Sequence, residues 1–200
     1  MDLSILIVSW NCRADLLNCL ASLVDGARGV EHEILLVDNA SSDDTCEQVK
    51  AQFPKVNVIS NQHNAGFAGG NVQAMAQAQG RYLLLLNPDT LTPPDGLRKL
   101  LDFADAHPEA GIIGPKLIYG DGRLQHSCRN FPTITAAIFR NTFIGSLFPH
   151  ARAKSTYLME DWDHSEVRSV DWISGACMLV RRECFDQIGT LDTGFFWGSE

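Results

Sequence analysis

Short apolar runs alternate with polar, glycine-bearing stretches and amphipathic segments through the first half of this chain. Residues 3–8, 34–37, 56–59 and 82–86 read as strands. The last, Tyr82-Leu83-Leu84-Leu85-Leu86, is apolar at every position, as expected of a parallel strand buried on both faces. Between them, Leu16, Leu17, Leu20, Leu23 and Val24 recur at helical spacing, Ser41 with Asp44 can cap a second helix, and Ala74, Ala76 and Ala78 mark a third made of small residues. A fourth helix runs through Leu97, Leu100, Leu101 and Ala104, with Thr92 before Pro93 and Asp95 forming a capping box. Strict alternation of strand and helix predicts an α/β fold, a Rossmann-like, mostly parallel sheet flanked by helices and joined by right-handed crossovers.

In such a sheet the carboxyl ends of the strands face the ligand crevice, so the residues just after each apolar run carry the chemistry. The first run ends in Ser9-Trp10-Asn11 and the second in Asp38-Asn39. The third leads into a glycine-bearing loop from Asn61 to Asn71, and the fourth ends in Asn87-Pro88-Asp89. Proline stops the ladder there, and Asp89 emerges at the strand edge. Asn-Pro-Asp reads equally well as a simple turn or a cap, but with Thr92 and Asp95 assigned to capping, Asp89 has no structural duty. By the same reasoning Ser41 and Asp44 leave Asp38 free. One carboxylate at a strand edge can hold a hard divalent cation whose other ligands are water and substrate phosphates, which makes this a place to bind a nucleotide.

Composition adds limits. The chain has 200 residues, 45% of them hydrophobic, enough for one domain with a substantial core. Its six cysteines (Cys12, Cys19, Cys46, Cys128, Cys177 and Cys184) lack C-x-x-C pairing and its six histidines lack H-x-x-x-H spacing, so reduced, mostly buried thiols and no zinc site are expected. His63, beside the glycine loop, reads as a surface or core histidine. No basic leader with a cleavage site and no bilayer-length apolar run is visible, which points to a cytoplasmic protein. The net charge is −8, and no nucleic-acid partner is expected. Between Asp121 and Glu160, however, Arg123, Arg129, Arg140, Arg152 and Lys154 outnumber the acids. Ile134, Ala137, Ile138, Phe139, Phe143, Ile144, Leu147 and Phe148 in the same stretch suit one helical face. That face would either pack on the sheet as ordinary core or rest peripherally on the inner face of an anionic cytoplasmic membrane or on a lipid-diphosphate acceptor.

The pieces Ile7-Val8-Ser9-Trp10-Asn11, Val37-Asp38-Asn39-Ala40-Ser41, the stretch 64–71, Leu86-Asn87-Pro88-Asp89 and the late stretch 172–181 (Trp172 through Gly175 to Arg181) occur in an order that resembles the family 2 glycosyltransferases of the GT-A fold. The resemblance is to the bacterial branch related to rhamnosyltransferases; residues 120–170 match least. It implies an inverting glycosyltransferase of cell-surface polysaccharide synthesis that takes a dTDP- or UDP-linked sugar, with dTDP-rhamnose the first choice, and passes it to a glycan or lipid-diphosphate-linked acceptor. Carried over residue by residue, Asp38 contacts the pyrimidine, and Ser9, Asn11, Asn64, Gly66, Gly69, Gly70, Asn87, Trp172 and Gly175 line the substrate sites. Asp89 takes Mg2+ or Mn2+ as the acid of the DxD position, with Asn87 standing where that motif has its first acid. The family's base lies in a Glu-Asp motif after an aromatic pair. Here Phe195-Phe196-Trp197-Gly198-Ser199-Glu200 supplies the Glu, and the expected Asp would be the residue after it. The implied organisation is one GT-A domain, 1–120 binding the nucleotide sugar and 121–200 the acceptor, cut short at its C-terminus.

Two other classes remain open at this stage. A non-catalytic nucleotide-sugar-binding module would keep the donor half and lack the base. A nucleotidyltransferase would also use a metal on an α/β sheet, but Trp10-Asn11-Cys12-Arg13 is a poor substitute for a basic glycine-rich phosphate loop. Gly66, Gly69 and Gly70 do not make the G-x-G-x-x-G spacing of a dinucleotide dehydrogenase.

Overall fold

The computed structural model describes residues 1–131 and 152–194. Most of the apolar, basic stretch singled out above, and Glu200, therefore lie outside the described residues. In chain order the elements are β1 (Leu3–Ser9), α1 (Arg13–Gly26), β2 (His32–Asp38), α2 (Thr45–Gln52), β3 (Asn57–Ser60), α3 (Gly66–Met75), β4 (Tyr82–Leu86) and α4 (Gly96–Ala106). There follow β5 (Ile112–Ile113), β6 (Leu117–Ile118), β7 (Leu124–Gln125), β8 (Cys128–Arg129), α5 (Arg152–Leu158), β9 (Trp172–Ile173), β10 (Cys177–Arg181) and α6 (Arg182–Ile188). They form two compact units, one of Met1–Ile113 with the chain from Gly175 on, the other of Gly114–Ser174.

The first unit is built on a six-stranded sheet of order β3-β2-β1-β4-β10-β5. The first four strands are parallel, and β10 runs antiparallel to both β4 and β5. β1 and β4 sit in the middle, which explains why β4 is apolar throughout, β1 is apolar except for Ser4 and Ser9, and both are largely buried. Alternation splits them between two faces. Leu6, Leu35, Val37, Leu83, Leu85 and Val180 form one core with Ala74 and Met75 of α3. Ile5, Ile7 and Leu84, also fully buried, point to the opposite face. Right-handed crossovers carry the chain from β1 to β2 to β3 and then back past β1 to β4, so α3 lies on the other face from α1 and α2. The reversal between β1 and β4 is the point at which open α/β sheets bind ligands.

Local details depart from the sequence pattern. α4 starts at Gly96 after a left-handed Asp95 that makes no side-chain cap, so the Thr92–Asp95 capping box does not form. The Thr92 amide instead donates to the Ser22 hydroxyl at 3.0 Å. Its side chain packs so close to α1 that a Cβ on Gly26 would come within 2.5 Å of it. α2 likewise has no side-chain cap at Asp44. Val24, expected on the buried face of α1, is exposed, because Leu16, Cys19, Leu20, Leu23 and Gly26 already fill that face.

In the second unit the ladders β6–β7 and β8–β9 and the helix α5 surround a small core of Cys128, Met159 and Trp162, against which Val170 and Ile173 pack. Trp162 is only 7% exposed and stacks on His164 at 4.0 Å, which anchors the stretch from Asp161 to His164.

At the amino end of β4, Arg81 forms a two-pronged bridge to Asp105 of α4 (2.6 and 2.8 Å), and the Tyr82 hydroxyl donates to the same carboxylate at 2.8 Å. Arg181 of β10 in turn donates to the Tyr82 oxygen at 2.7 Å. Arg81 first, and then Tyr82, hold the Asp105 carboxyl down at about 2. A carboxyl lowered in the folded state stabilises above its unfolded value near 3.9 and loses that contribution as pH falls through the folded one. Asp105 is largely solvated, so Asp105→Asn is expected to cost about 0.5–1 kcal/mol at pH 7. Urea unfolding should show the gap to wild type shrinking from about pH 4 towards pH 2; a pH-independent gap would refute the linkage.

Candidate functional site

Parallel pairing sets Ser9, Asp38 and Ser60 side by side at the carboxyl edge of the sheet. The Asp38 carboxylate is 3% exposed and fully engaged there. One oxygen accepts from the Ser9 hydroxyl at 3.2 Å and the Ser41 hydroxyl at 2.5 Å, and the other from the Ser41 amide at 3.0 Å. Ser41 is thus committed to Asp38 and does not cap α2, which corrects the expectation that Asp38 stands free. The first turn of α2 uses Asp43, which accepts from the Thr45 amide and hydroxyl.

Asn11 joins the loops after β1 and β2. Its backbone takes a left-handed φ of 50°, its amide donates to the Ser41 hydroxyl at 2.9 Å, and its side-chain oxygen accepts from the Ser42 amide at 2.8 Å. Arg13 and Asp44 close the same rim with an ion pair.

Asn39, 2% exposed, is the functional residue that motif reading passed over. Its side-chain nitrogen donates to the Gly66 carbonyl at 3.0 Å, while its oxygen accepts from Asn61 at 2.9 Å and from the Ala65 amide at 3.4 Å. One buried amide therefore fixes the glycine turn against β2. Asn64 holds the turn from within, its side-chain oxygen accepting from the Gly66 amide at 2.8 Å. Gly66 has φ +75°, which a side chain would strain. A Cβ on Gly70 would stand 2.7 Å from a Val8 methyl, so glycine lets α3 lie directly on β1. Gly69 faces Ala65, and Gly175 faces the Phe67 ring. The signal for Asn39 was a second polar residue directly after a buried strand, next to the more familiar Asp38.

At the end of β4 the Asn87 amide donates to the Ala176 carbonyl at 2.9 Å, and its carbonyl accepts the Thr90 amide at 3.1 Å. The tripeptide is a turn, as its composition allows, and the turn presents Asp89 to solvent. No hydrogen bond or ion pair engages that carboxylate among the described residues. Asp89 does reach its neighbours electrostatically. Burial pushes the Cys19 thiol up to about 12, with the Asp89 charge adding to it. Cys12 is raised first by burial and further by Asp15, Asp43 and Asp89, so three carboxylates act on one point at the crevice mouth. Among the described residues no group of three or more His, Cys, Asp or Glu could hold a metal alone. A cation at Asp89 would share that carboxylate with substrate oxygens and water, a donor set suited to Mg2+ or Mn2+.

The remaining expected residues are placed as follows. Trp172 lies on β9 of the second unit, where its ring sits under the Arg129 guanidinium, while Gly175 belongs to the first unit. His63 is exposed. All six cysteines are free, Cys19, Cys128 and Cys177 buried and the others partly so.

Comparison with known proteins shows the family and the fold. Residues 4–189 match Glycosyl transferase family 2. The chain is 30% identical over 174 residues to an N-acetylglucosaminyl-diphospho-decaprenol L-rhamnosyltransferase of Mycobacterium tuberculosis, covering 82% of this chain and 56% of that protein. It is 28% identical over 199 residues to the low-salt glycan biosynthesis hexosyltransferase Agl10 of Haloferax volcanii, covering 98% and 57%. The chain thus spans about half the length of these curated relatives. Among solved structures, the mannosyltransferase PcManGT of Pyrobaculum calidifontis in complex with GDP-Man and Mn2+ superposes with a TM-score of 0.62 at 18% identity, over 96% of this chain and 47% of that one. TarS of S. aureus in complex with UDP-GlcNAc gives 0.54 at 24%, over 64% and 38%. The fold is GT-A, and the chain belongs to glycosyl transferase family 2.

Removing the Asn39 amide leaves the Gly66 carbonyl, the Ala65 amide and Asn61 without their buried partner. Asn39→Ala should cost about 1–3 kcal/mol of stability by chemical denaturation. A change within 0.5 kcal/mol would mean that the glycine turn is held by other contacts.

Proposed function

We propose that this chain carries the donor site of an inverting glycosyltransferase that moves a sugar from a nucleoside diphosphate to a glycan or lipid-diphosphate-linked acceptor in cell-surface polysaccharide synthesis. The observation that carries the reading is the contrast between two acids on one sheet edge. Asp38 is buried and held by serines, whereas Asp89, three residues beyond the core strand β4, is exposed and unpaired among the described residues.

Each residue then has a role. Asp38, held by Ser9 and Ser41, would contact the pyrimidine through a carboxylate oxygen that it shares with those donors. Asn11 and Ser9 shape that end of the crevice. The turn from Asn64 to Gly70, with Gly175 against Phe67, lines the sugar diphosphate. Asn87 fixes the β4 turn, and Asp89 would hold Mg2+ or Mn2+. When bound, the cation would neutralise the diphosphate and the charge that builds on it as it leaves.

Transfer is a single displacement. The acceptor oxygen bonds to the anomeric carbon, the bond from that carbon to the diphosphate oxygen breaks, and the electron pair leaves with the diphosphate. The acceptor proton passes to a carboxylate base, for which Glu200 is the candidate by motif.

The relative from M. tuberculosis supports rhamnose and a glycosyl-diphospho-lipid as first choices for sugar and acceptor; dTDP or UDP as the carrier is what the resemblance of the motifs implies. A lipid-linked acceptor would bring the protein peripherally to the cytoplasmic face of a membrane. No helix among the described residues is long and apolar enough to cross one.

Asp89→Ala should lower metal-dependent affinity for dTDP or UDP at least about tenfold, near 1.4 kcal/mol. Metal-free affinity should be unchanged, and so should stability, within about 0.5 kcal/mol. Calorimetric titration of both proteins with and without Mn2+ makes the comparison. Unchanged metal-dependent affinity in Asp89→Ala would remove Asp89 from the site, and a wild type that binds neither nucleotide would overturn the functional reading.

A further inference from the structure

We propose that the outer face of the β8–β9 ladder, formed by Arg129, Trp172 and Phe131, binds the sugar diphosphate headgroup of the acceptor; this rests on the transferase reading above.

Strand alternation builds the face. Cys128 pairs with Ile173 and Arg129 with Trp172 across the ladder. Cys128 and Ile173 point inward to the small core beside Trp162. Asn130 also turns inward, its side chain donating to the Thr156 carbonyl at 2.7 Å. Arg129, Phe131 and Trp172 are therefore left on the other side. Just past the ladder, the Asp171 side chain accepts the Phe131 amide at 2.9 Å and ties that residue to the strand opposite. Trp172 is 43% exposed and Phe131 71%, so the ring beside the guanidinium and a second ring two residues along the strand from Arg129 both stand in solvent.

Arg129 differs from the other described arginines. Arg13, Arg28, Arg81, Arg98, Arg123 and Arg168 each pair with a carboxylate. Arg181 and Arg182 donate to main-chain carbonyls within the first unit. Among the described residues Arg129 has no carboxylate partner. One terminal nitrogen donates to the His126 and Cys128 carbonyls at 2.6 and 2.8 Å, and the guanidinium lies 5.6 Å from the centre of the Trp172 ring. Its position is thus fixed while its other nitrogens stay available, which suits a phosphate oxygen. The residues of this unit, 114–174, contain seven Lys or Arg against six Asp or Glu, so the acidity of the chain resides elsewhere. An aromatic face is electron-rich and attracts the polarised C–H groups of a pyranose, and two such faces beside a cation match a sugar joined to a diphosphate.

The test uses the whole chain and a probe of defined chemistry, N-acetylglucosaminyl diphosphate carrying a short alkyl chain, followed by indole fluorescence and saturation-transfer NMR. Wild type should bind it, with saturation on the sugar ring protons. Trp172→Ala and Phe131→Ala should each weaken binding at least about fivefold, and Arg129→Gln about tenfold, with dTDP or UDP affinity unchanged. Phe131→Ala touches the most exposed of the three side chains and keeps the test valid if Trp172→Ala perturbs folding. Three results would overturn the proposal: no binding by wild type, equal binding by all variants, or equally tight binding of the alkyl diphosphate without sugar or of anionic vesicles, which would make the face a lipid surface. Loss of nucleotide binding in wild type would reject the transferase reading and leave this comparison standing by itself.

Discussion

A buried carboxylate and a buried amide, Asp38 and Asn39, stand side by side at the end of β2, and the geometry of the crevice depends on how they are satisfied. A carboxylate that is 3% exposed must find donors, and Ser9 and Ser41 supply them. An amide that is 2% exposed must use both ends, and it does so on Gly66, Asn61 and Ala65. Those partners come from the end of β1, the loop after β2, the loop after β3 and the start of α3. Two adjacent polar side chains therefore bring four separate stretches of chain to one place, and breaking either set would leave unpaired polar groups under the crevice floor.

This network separates structural from chemical duty. Acids and amides that hold loops are saturated, whereas Asp89 is held only through its backbone neighbours Asn87 and Thr90. Its side chain keeps the freedom and hydration that a shared metal site requires, and Asp15 and Asp43 add to the negative potential near it. The apolar middle of the sheet makes the arrangement rigid. Val8 permits only glycine at position 70, so α3 and its amino-terminal turn cannot drift from β1.

The strands and the crevice edge were legible in the sequence because each depends on a local pattern. Residues 82–86 are apolar throughout, polar residues follow each run, and Gly66 sits where the chain takes a left-handed turn. What was not legible depends on partners distant in sequence. Asn39 acquires its role from residues 22 to 27 positions away, and Asp38 loses its apparent freedom to a serine assigned to capping. α4 begins later than its capping box suggests, because Ser22 and Gly26 of α1 draw Thr92 away. The second unit is built from two-residue strands too short to show any period, so the burial of Trp162 left no trace in the pattern.

Asp89 would hold the cation that neutralises the diphosphate of a nucleotide bound at this sheet edge. Crystals grown with Mn2+ and a nucleoside diphosphate, measured at the manganese absorption edge, test it most directly. The account predicts one anomalous peak about 2.1 Å from an Asp89 oxygen and from diphosphate oxygens, with the base end near Asp38. An ordered diphosphate whose ion is coordinated by other side chains, with Asp89 still pointing to solvent, would contradict it.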